Sequence, residues 1–382
     1  MRLRSKLWMA TVSVATPVAF VLTAGLGGCS AAHTCDGVGE MCRLAGTGEK
    51  SYGADNLPAL KTPLYGVESV RKGPDGRIYV VDINNYKLRA IDPDGTLRTV
   101  AGIGEHAPAL DGVAATDSPL YDPIDFAFRA DGRNVVVQWH DPRLLEIGLD
   151  GKMHLVAGVR NGCPNVAGTT NVVGVDGPLL EASFCELDAI AIDGQGRIFL
   201  ADDTAHQIRM VADGMVTTLA GDGTAGYSGD GGAATQAHLF APGALAIDRD
   251  GNLLVADTGN DVIRKIDLAT GLITRVVGSQ HRGYAGDGGP CLDADLNEPA
   301  GVVVDSDGSI YVADSFNQRI RRVDPVTELI ETIAGTGRSG STGDNGPAAA
   351  AELNHPQRLS IADGTLYIAD TLSSVARAIR LR

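Results

Sequence analysis

A dipeptide ending in glycine recurs through this 382-residue chain at nearly constant intervals. The steps between successive copies are 56, 56, 63, 57 and 57 residues. The copies are Ala45-Gly46, Ala101-Gly102, Ala157-Gly158, Ala220-Gly221, Val277-Gly278 and Ala334-Gly335. A period of this kind indicates a repeat architecture, in which each unit needs neighbours like itself to bury its apolar faces.

Residues 301–335 show what one unit contains. Four short runs are rich in β-branched and apolar residues: Val302–Val304, Ile310–Val312, Ile320–Val323 and Leu329–Ile333. The breaks between them carry Asp-Gly, Ser-Phe-Asn and Asp-Pro, which are turn sequences. Each unit is therefore predicted to be a four-stranded antiparallel sheet. Six such sheets around an axis make an all-β, six-bladed β-propeller, and an open stack is the alternative.

The two ends of the chain favour the closed ring. The sixth unit stops at Ser374–Arg382 and so lacks its fourth strand, whereas Met41–Gly46 matches the fourth strands at 97–102 and 330–335. We therefore expect the N-terminal strand to complete the last blade. Closure of this kind leaves no exposed sheet edge.

The fourth unit carries three motifs: AGDGTAGYSGDGG at 220–232, LLVADTGN at 253–260 and VIRKID at 262–267. Together they strongly resemble the NHL repeat. The resemblance covers residues 41–382, is strongest in blades four to six and is weakest in blade two. It implies a six-bladed propeller. It implies little about chemistry, because this family consists largely of binding scaffolds with a few enzymes among its relatives.

The N-terminus has the layout of a secretion signal. Arg2, Arg4 and Lys6 precede the apolar run Leu7–Leu26, and Leu26-Gly27-Gly28-Cys29 resembles a bacterial lipobox. We expect residues 1–28 to be a signal peptide, 29–40 a linker lipidated at Cys29, and 41–382 the propeller. The expected location is the cell envelope, at the outer membrane, in the periplasm or facing the surface. An uncleaved anchor helix is the alternative.

Charge narrows the class of partner. The net charge is −15, and the basic residues of the signal leave the mature chain near −18. Carboxylates repel phosphates, so nucleic acid and anionic membrane surfaces are disfavoured. We expect a monomer that meets the membrane through its lipid alone and binds a protein, or a small neutral or basic ligand.

An extracytoplasmic chain permits disulfides. Sequence proximity favours Cys35 with Cys42 and Cys163 with Cys185, and leaves Cys291 free, although spacing alone does not settle connectivity.

Aspartates recur at the ends of the second strands, each followed seven residues later by an arginine. The pairs are Asp82 with Arg89, Asp202 with Arg209, Asp257 with Arg264, Asp314 with Arg321, and Asp370 with Arg377. Blade two is expected to carry Trp139 and Glu146 at these two places. Because both members are replaced together, a structural Asp–Arg pair is favoured over a ligand site.

A second set of carboxylates lies in the blade-to-blade loops, at Asp55, Asp111, Asp176, Asp230, Asp287 and Asp344. These loops lack the dense alternating ligands of a calcium loop, so hydrogen bonding within the loop is favoured. No cofactor is expected. Calcium or another divalent cation is the alternative, and the metal content stays open.

Residues that differ between blades are the better candidates for function, and they gather on one side of the expected loop-rich face. The candidate ligand-binding residues are Glu68, Asp125, Trp139, His140, Asp188, His206, Gln357 and Arg358. Carboxylates at a channel mouth can hold a cation or a basic partner, or can simply be solvated. The sequence shows no catalytic motif.

We therefore expect a binding or scaffold module that acts through the loop-rich face and is not an enzyme. The alternative is a metal-dependent hydrolase or lyase, lactonase-like or amidating-lyase-like, with a carboxylate site at the channel mouth.

Overall fold

The computed structural model describes residues 37–160, 163 and 174–382. The chain divides into two units, residues 1–30 and 31–382, and all described residues belong to the second. They form a six-bladed β-propeller of four-stranded antiparallel blades, as the sequence predicts. No helix among the described residues is long and apolar enough to cross a membrane.

The described residues form 27 strands, named β1 to β27 in chain order. The strands are β1 (Glu40–Ala45), β2 (Leu57–Pro58), β3 (Val67–Lys72), β4 (Ile78–Asp82), β5 (Lys87–Ile91), β6 (Thr96–Ala101), β7 (Pro123–Phe128), β8 (Asn134–Gln138), β9 (Leu144–Ile147), β10 (Met153–Ala157), β11 (Gly177–Pro178), β12 (Leu187–Ile192), β13 (Ile198–Asp202), β14 (Gln207–Ala212), β15 (Met215–Ala220), β16 (Pro242–Ile247), β17 (Leu253–Asp257), β18 (Val262–Ile266), β19 (Ile273–Val277), β20 (Pro299–Val304), β21 (Ile310–Asp314), β22 (Arg319–Val323), β23 (Ile330–Ala334), β24 (Gly346–Pro347), β25 (Pro356–Ala362), β26 (Thr365–Asp370) and β27 (Val375–Arg380).

Single turns of 3-10 helix lie in the connections between strands. They are Ala59–Lys61, Ile83–Asn85, Ala115–Asp117, Ala234–Gln236, Thr258–Asn260, Cys291–Asp293, Ser315–Asn317, Ala348–Ala350 and Thr371–Ser373.

Blades one to five run from the channel outwards as β3–β6, β7–β10, β12–β15, β16–β19 and β20–β23. Blade six consists of β25, β26, β27 and β1. In blades one, three and six, a two-residue strand (β2, β11 or β24) adds to the outer edge.

The N-terminal strand closes the ring. Strand β1 pairs antiparallel with β27, with Met41 opposite Ile379 and Cys42 opposite Ala378. The first and the last of the described strands thus share one sheet, which confirms the predicted closure. The outer edge of blade six is covered in turn by β24.

The core consists of six apolar clusters, one at each junction between neighbouring blades. Successive residues of a strand point to opposite faces, so one strand supplies two clusters. In β4, for example, Tyr79 packs toward blade two while Val80 packs toward blade six. The junction of blades six and one contains Leu44 of β1, so closure buries the N-terminal strand.

The two faces of the ring differ in their loops. Tight turns such as Asp307-Gly308, where Gly308 has a φ of +94°, join the first and second strands on one face. The blade-to-blade loops and the connections between second and third strands lie on the other, which we call the loop-rich face. Every inner strand begins at this face, so the predicted channel-mouth residues lie there.

Candidate functional site

The structure brings each repeated aspartate close to the arginine seven residues later. The five nitrogen–oxygen distances lie between 3.2 and 3.8 Å, and both side chains of every pair are fully buried. Each aspartate also accepts a hydrogen bond from a backbone amide about 17 residues upstream, as Asp314 does from Asn297 at 2.8 Å. These aspartates therefore tie the second strand to its own loop as well as to the third strand.

The loop carboxylates meet the same arginines. Arginine-to-aspartate distances of 2.7 to 2.8 Å are found at Asp55, Asp176, Asp230, Asp287 and Asp344. Asp111 instead accepts a hydrogen bond from the Leu155 amide at 3.0 Å. The two carboxylate sets are therefore not independent, because in five blades one buried arginine contacts a member of each.

Blade two differs from the sequence alignment by one residue. Gln138, not Trp139, takes the aspartate's place, since it pairs with Pro123 at the start of β7 and accepts the Tyr121 amide at 2.7 Å. Leu145, not Glu146, lies at the arginine's place in the third strand. The predicted placement of Trp139 and Glu146 was therefore wrong. Blade two lacks the repeated aspartate, so its sequence had no residue that fixed the alignment with the other blades.

Blade two nevertheless keeps a buried Asp–Arg pair. Arg143 precedes β9 and donates to Asp141 at 2.7 Å and to the Ala109 carbonyl at 2.8 Å. Arg89 of blade one reaches the corresponding loop, at the Ala54 carbonyl. The same link between a blade and its incoming loop is thus made by an arginine from a different strand position.

Arg358 dominates the channel mouth. Its side chain is 3% exposed, and its Nη2 lies 2.7 Å from Asp188 Oδ1 and donates to the Asp188 carbonyl at 2.7 Å. Its Nη1 donates to Gln357 Oε1 at 2.7 Å and lies 3.8 Å from Glu68 Oε2. Blade three lies opposite blade six in a ring of six, so Arg358 spans the channel. Four predicted candidates are thereby brought together.

Burial perturbs the acids around Arg358. Loss of solvent raises the pKa of Glu68 to about 7, although the charge of Arg358 opposes the shift. Glu68 Oε2 has no hydrogen-bond partner in the described structure. Burial also raises the pKa of Asp188, and it raises that of Asp203 to about 7 with the help of the Asp188 charge. The buried Arg358 guanidinium is therefore surrounded by acids whose raised pKa values disfavour their charged forms.

Asp125 is held within the channel wall. It accepts hydrogen bonds from Ser69 Oγ at 2.8 Å, from Arg71 at 3.0 Å and from the Ile190 amide at 3.2 Å. The carboxylate thus joins the inner strands of blades one, two and three. Beyond it, toward the other face, the channel contains a cavity of about 320 Å³ lined mainly by apolar inner-strand residues such as Phe128, Ile190 and Leu245.

His206 has a different setting from the Arg358 group. It lies in the turn after β13 with a φ of +54°, and its Nδ1 accepts a hydrogen bond from the Ala241 amide of the next blade at 3.2 Å. Asp261 and Gln318 at equivalent turns accept the amides of Glu298 and His355. Burial lowers the pKa of His206, which keeps this nitrogen free to accept. The contact is one between blades.

Trp139 and His140 belong to a third group, at the junction of blades one and two. His140 Nδ1 hydrogen-bonds Asp122 Oδ2, and His106 Nε2 lies 2.7 Å from the same oxygen. Trp139 stacks on His140 with ring centroids 5.1 Å apart. Of these residues, Trp139 and His140 were predicted candidates, whereas His106 and Asp122 were not. The position of His106 in the repeat could have identified it as a residue that differs between blades. The equivalent loop positions in other blades hold Lys50, Ala225, Arg282 and Ser339.

Large apolar side chains surround the channel mouth on the loop-rich face. We call them the apolar rim, and they are between 36 and 49% exposed. The members are Tyr65, Trp139, Phe240, Phe316 and Leu372. Each lies within two residues of the start of an inner strand or of the end of a second strand. Exposed aromatic residues of this kind are enriched at protein interfaces.

A disulfide joins Cys163 and Cys185, with Cα atoms 4.9 Å apart, as sequence proximity favoured. Cys291 is a free and buried thiol. The predicted lipidation site Cys29 and the predicted partner of Cys42, Cys35, lie outside the described residues.

Comparison with known proteins agrees with this architecture. The family model of the teneurin NHL domain matches residues 45–227 and 223–285, which together cover more than half of the chain. The model of the NHL repeat matches residues 296–322. A crystal structure of a protein of unknown function from Bacteroides thetaiotaomicron has a TM-score of 0.65 and 16% identity, covering 88% of this chain and 74% of that one. At this identity the likeness shows the fold alone.

Two curated relatives are much longer than the region they share with this chain. Protein SUPPRESSOR OF QUENCHING 1, chloroplastic, of Arabidopsis thaliana is 34% identical over 197 residues, which are 48% of this chain and 18% of that protein. NHL repeat-containing protein 2 of Homo sapiens is 28% identical over 316 residues, which are 74% of this chain and 43% of that protein. The chain thus spans less than half of either relative. With the family models matched along most of the propeller, the chain belongs to the NHL-repeat β-propeller family.

Proposed function

We propose that this propeller is a binding module that holds a partner protein on its loop-rich face. The observation that carries the proposal is the apolar rim, whose five large side chains are exposed around the channel mouth. Partly exposed aromatic side chains on a rigid scaffold are typical anchors of a protein interface. The net charge of −15 favours a partner whose contacting surface is basic or neutral.

The channel mouth supports binding at the rim rather than chemistry in the channel. A metal-dependent hydrolase or lyase needs carboxylates that are free to ligate a cation. Here Asp188 bonds Arg358 at 2.7 Å, and Asp125 bonds Arg71 and Ser69. Arg358 also places a buried positive charge where such a cation would have to bind. Repulsion between the two cations disfavours the enzyme alternative.

The cellular location of the protein forms part of the same proposal. The lipobox-like sequence Leu26–Cys29 supports a mature chain lipidated at Cys29 and held at the outer membrane. A linker of about ten residues separates Cys29 from β1, which begins at Glu40. The propeller then acts as a monomer tethered at the envelope, and its ring is free to meet a second protein.

Affinity capture tests the requirement for the rim. The full chain and a Trp139→Ser, Phe240→Ser, Phe316→Ser variant are each used to capture proteins from solubilised envelopes. A matched control carries Leu149→Ser and Val326→Ser, which replace exposed apolar residues of third-to-fourth-strand turns on the other face. The proposal expects one partner that the wild type and the control retain and that the rim variant loses. Equal capture by all three chains, or no specific capture, overturns it.

A further inference from the structure

We propose that His106, Asp122 and His140 form a binding site for one divalent transition-metal ion, at the junction of blades one and two on the loop-rich face. The ligand atoms available on these three side chains all lie within 4.8 Å of one another. This inference goes beyond the proposed partner binding and stands on separate residues from the channel mouth.

The donor set suits such an ion. Two imidazole nitrogens, His106 Nε2 and His140 Nδ1, converge on a single carboxylate oxygen, Asp122 Oδ2. Two imidazoles and one carboxylate are a ligand combination that zinc and its neighbours in the first transition row accept. Both histidines are 43% exposed, whereas Asp122 is 14% exposed. An ion entering between them would keep coordination positions open to solvent.

The three side chains are held in place by their surroundings. Asp122 has a φ of +51°, and its carbonyl accepts the Trp139 amide at 2.9 Å. The His106 ring lies 4.8 Å from Tyr86 and 4.4 Å from Tyr121, measured between ring centroids. The same Tyr121 ring lies 5.4 Å from His140. Because the ligands are ordered before an ion arrives, binding loses less conformational entropy.

An equivalent junction shows what these positions hold when the residue types differ. At the junction of blades four and five, Arg282 takes the place of His106 and Glu298 that of Asp122. Those two side chains form an ordinary salt bridge of 2.9 Å. The backbone of the repeat thus brings the two positions into contact, and blade two adds His140 as a third ligand.

Zinc titration of the full chain, without a histidine tag and stripped with a chelator, tests the site. The proposal expects one Zn²⁺ per chain, with an affinity that falls at least tenfold in His106→Ala, His140→Ala and Asp122→Asn. His238→Ala is the matched control, since His238 is an exposed histidine 3.3 Å from one carboxylate, that of Asp222. It should leave the affinity unchanged. No binding by the wild type, or equal loss in the control, overturns the proposal.

X-ray absorption of the zinc complex provides a second measurement that does not depend on the folding of any variant. The proposal expects scattering from two imidazoles and from oxygen ligands. A sulfur ligand would assign the ion to cysteine and overturn the proposal.

Discussion

Arg358 of blade six bonds Asp188 of blade three across the central channel, with Nη2 and Oδ1 2.7 Å apart. Removal of the guanidinium leaves Asp188 and Glu68 buried without a cation. We expect Arg358→Met to lower the free energy of unfolding by roughly 3 to 5 kcal/mol, the usual cost of breaking a buried pair. Urea denaturation measures this loss, with Arg249→Met as the control because Arg249 is 62% exposed.

The double variant Arg358→Met, Asp188→Asn should recover part of the loss, because it removes the stranded charge as well. Equal stability of wild type and Arg358→Met would show that the contact across the channel contributes nothing.

Glu68 should make stability depend on pH. Its pKa is raised from 4.5 to about 7, so protonation favours the folded state. The resulting stabilisation is complete below pH 4.5 and is lost as the pH rises through 7. Glu68→Gln cannot ionise at this position, so its stability does not show this loss as the pH rises. Its free energy of unfolding, relative to wild type, should rise by about 2 to 3 kcal/mol between pH 5 and pH 8.

Denaturant unfolding at several pH values measures this difference, and Glu49→Gln is the control because Glu49 is exposed. Parallel pH profiles for wild type and Glu68→Gln would contradict the raised pKa.

Asp314 tests the repeated pairs. It is fully buried, lies 3.2 Å from Arg321 and accepts a hydrogen bond from the Asn297 amide. Asp314→Ala strands the arginine and the amide together, and should cost roughly 3 to 5 kcal/mol of stability. The melting temperature should fall while the affinity for a captured partner stays unchanged. Asp250→Ala, at a residue that is 75% exposed, should leave the melting temperature unchanged. An unaltered melting temperature in Asp314→Ala would contradict a stabilising role for the Asp314–Arg321 pair.

The ring itself could be predicted from sequence, because a nearly constant period and a matching fragment at each end specify blade number and closure. The channel-mouth group was predicted from the alignment of inner strands, which brings Glu68, Asp188 and Gln357 to one position. Arg358 follows at the next position. The ion pair that Arg358 forms across the channel could not be predicted. An alignment assigns a residue to a blade and to a position along its strand, but it does not show how far the side chain extends. Trp139 was misplaced because blade two has Gln138 where other blades have the anchoring aspartate.

The histidine group could not be recognised from spacing. His106, Asp122 and His140 come from a blade-to-blade loop, the entry to β7 and the turn after β8. Only the packing of blade two on blade one brings them together. Apart from Trp139, the members of the apolar rim were missed for a similar reason, because the rim residues occupy three different positions of the repeat.

Lipidation at Cys29 provides a further test of the proposed location at the membrane. Cells grown with labelled palmitate should label the full chain, and Cys29→Ser should abolish the label and release the propeller from membranes, because a lipid anchor is lost. Cys291→Ser, which alters a buried thiol, should stay labelled. Persistent label on Cys29→Ser would contradict the anchor.

Photo-cross-linking in the native cells tests whether a partner protein binds the loop-rich face, because it locates the partner on the ring. A photoreactive phenylalanine replaces either Phe316 on the loop-rich face or Val326 on the other face, at opposite ends of β22. Both side chains are exposed, by 49% and 86%. We expect one discrete adduct from position 316 that disappears when Trp139→Ser is added, and no such adduct from position 326. An adduct from position 326 alone, or no adduct from position 316, would contradict it.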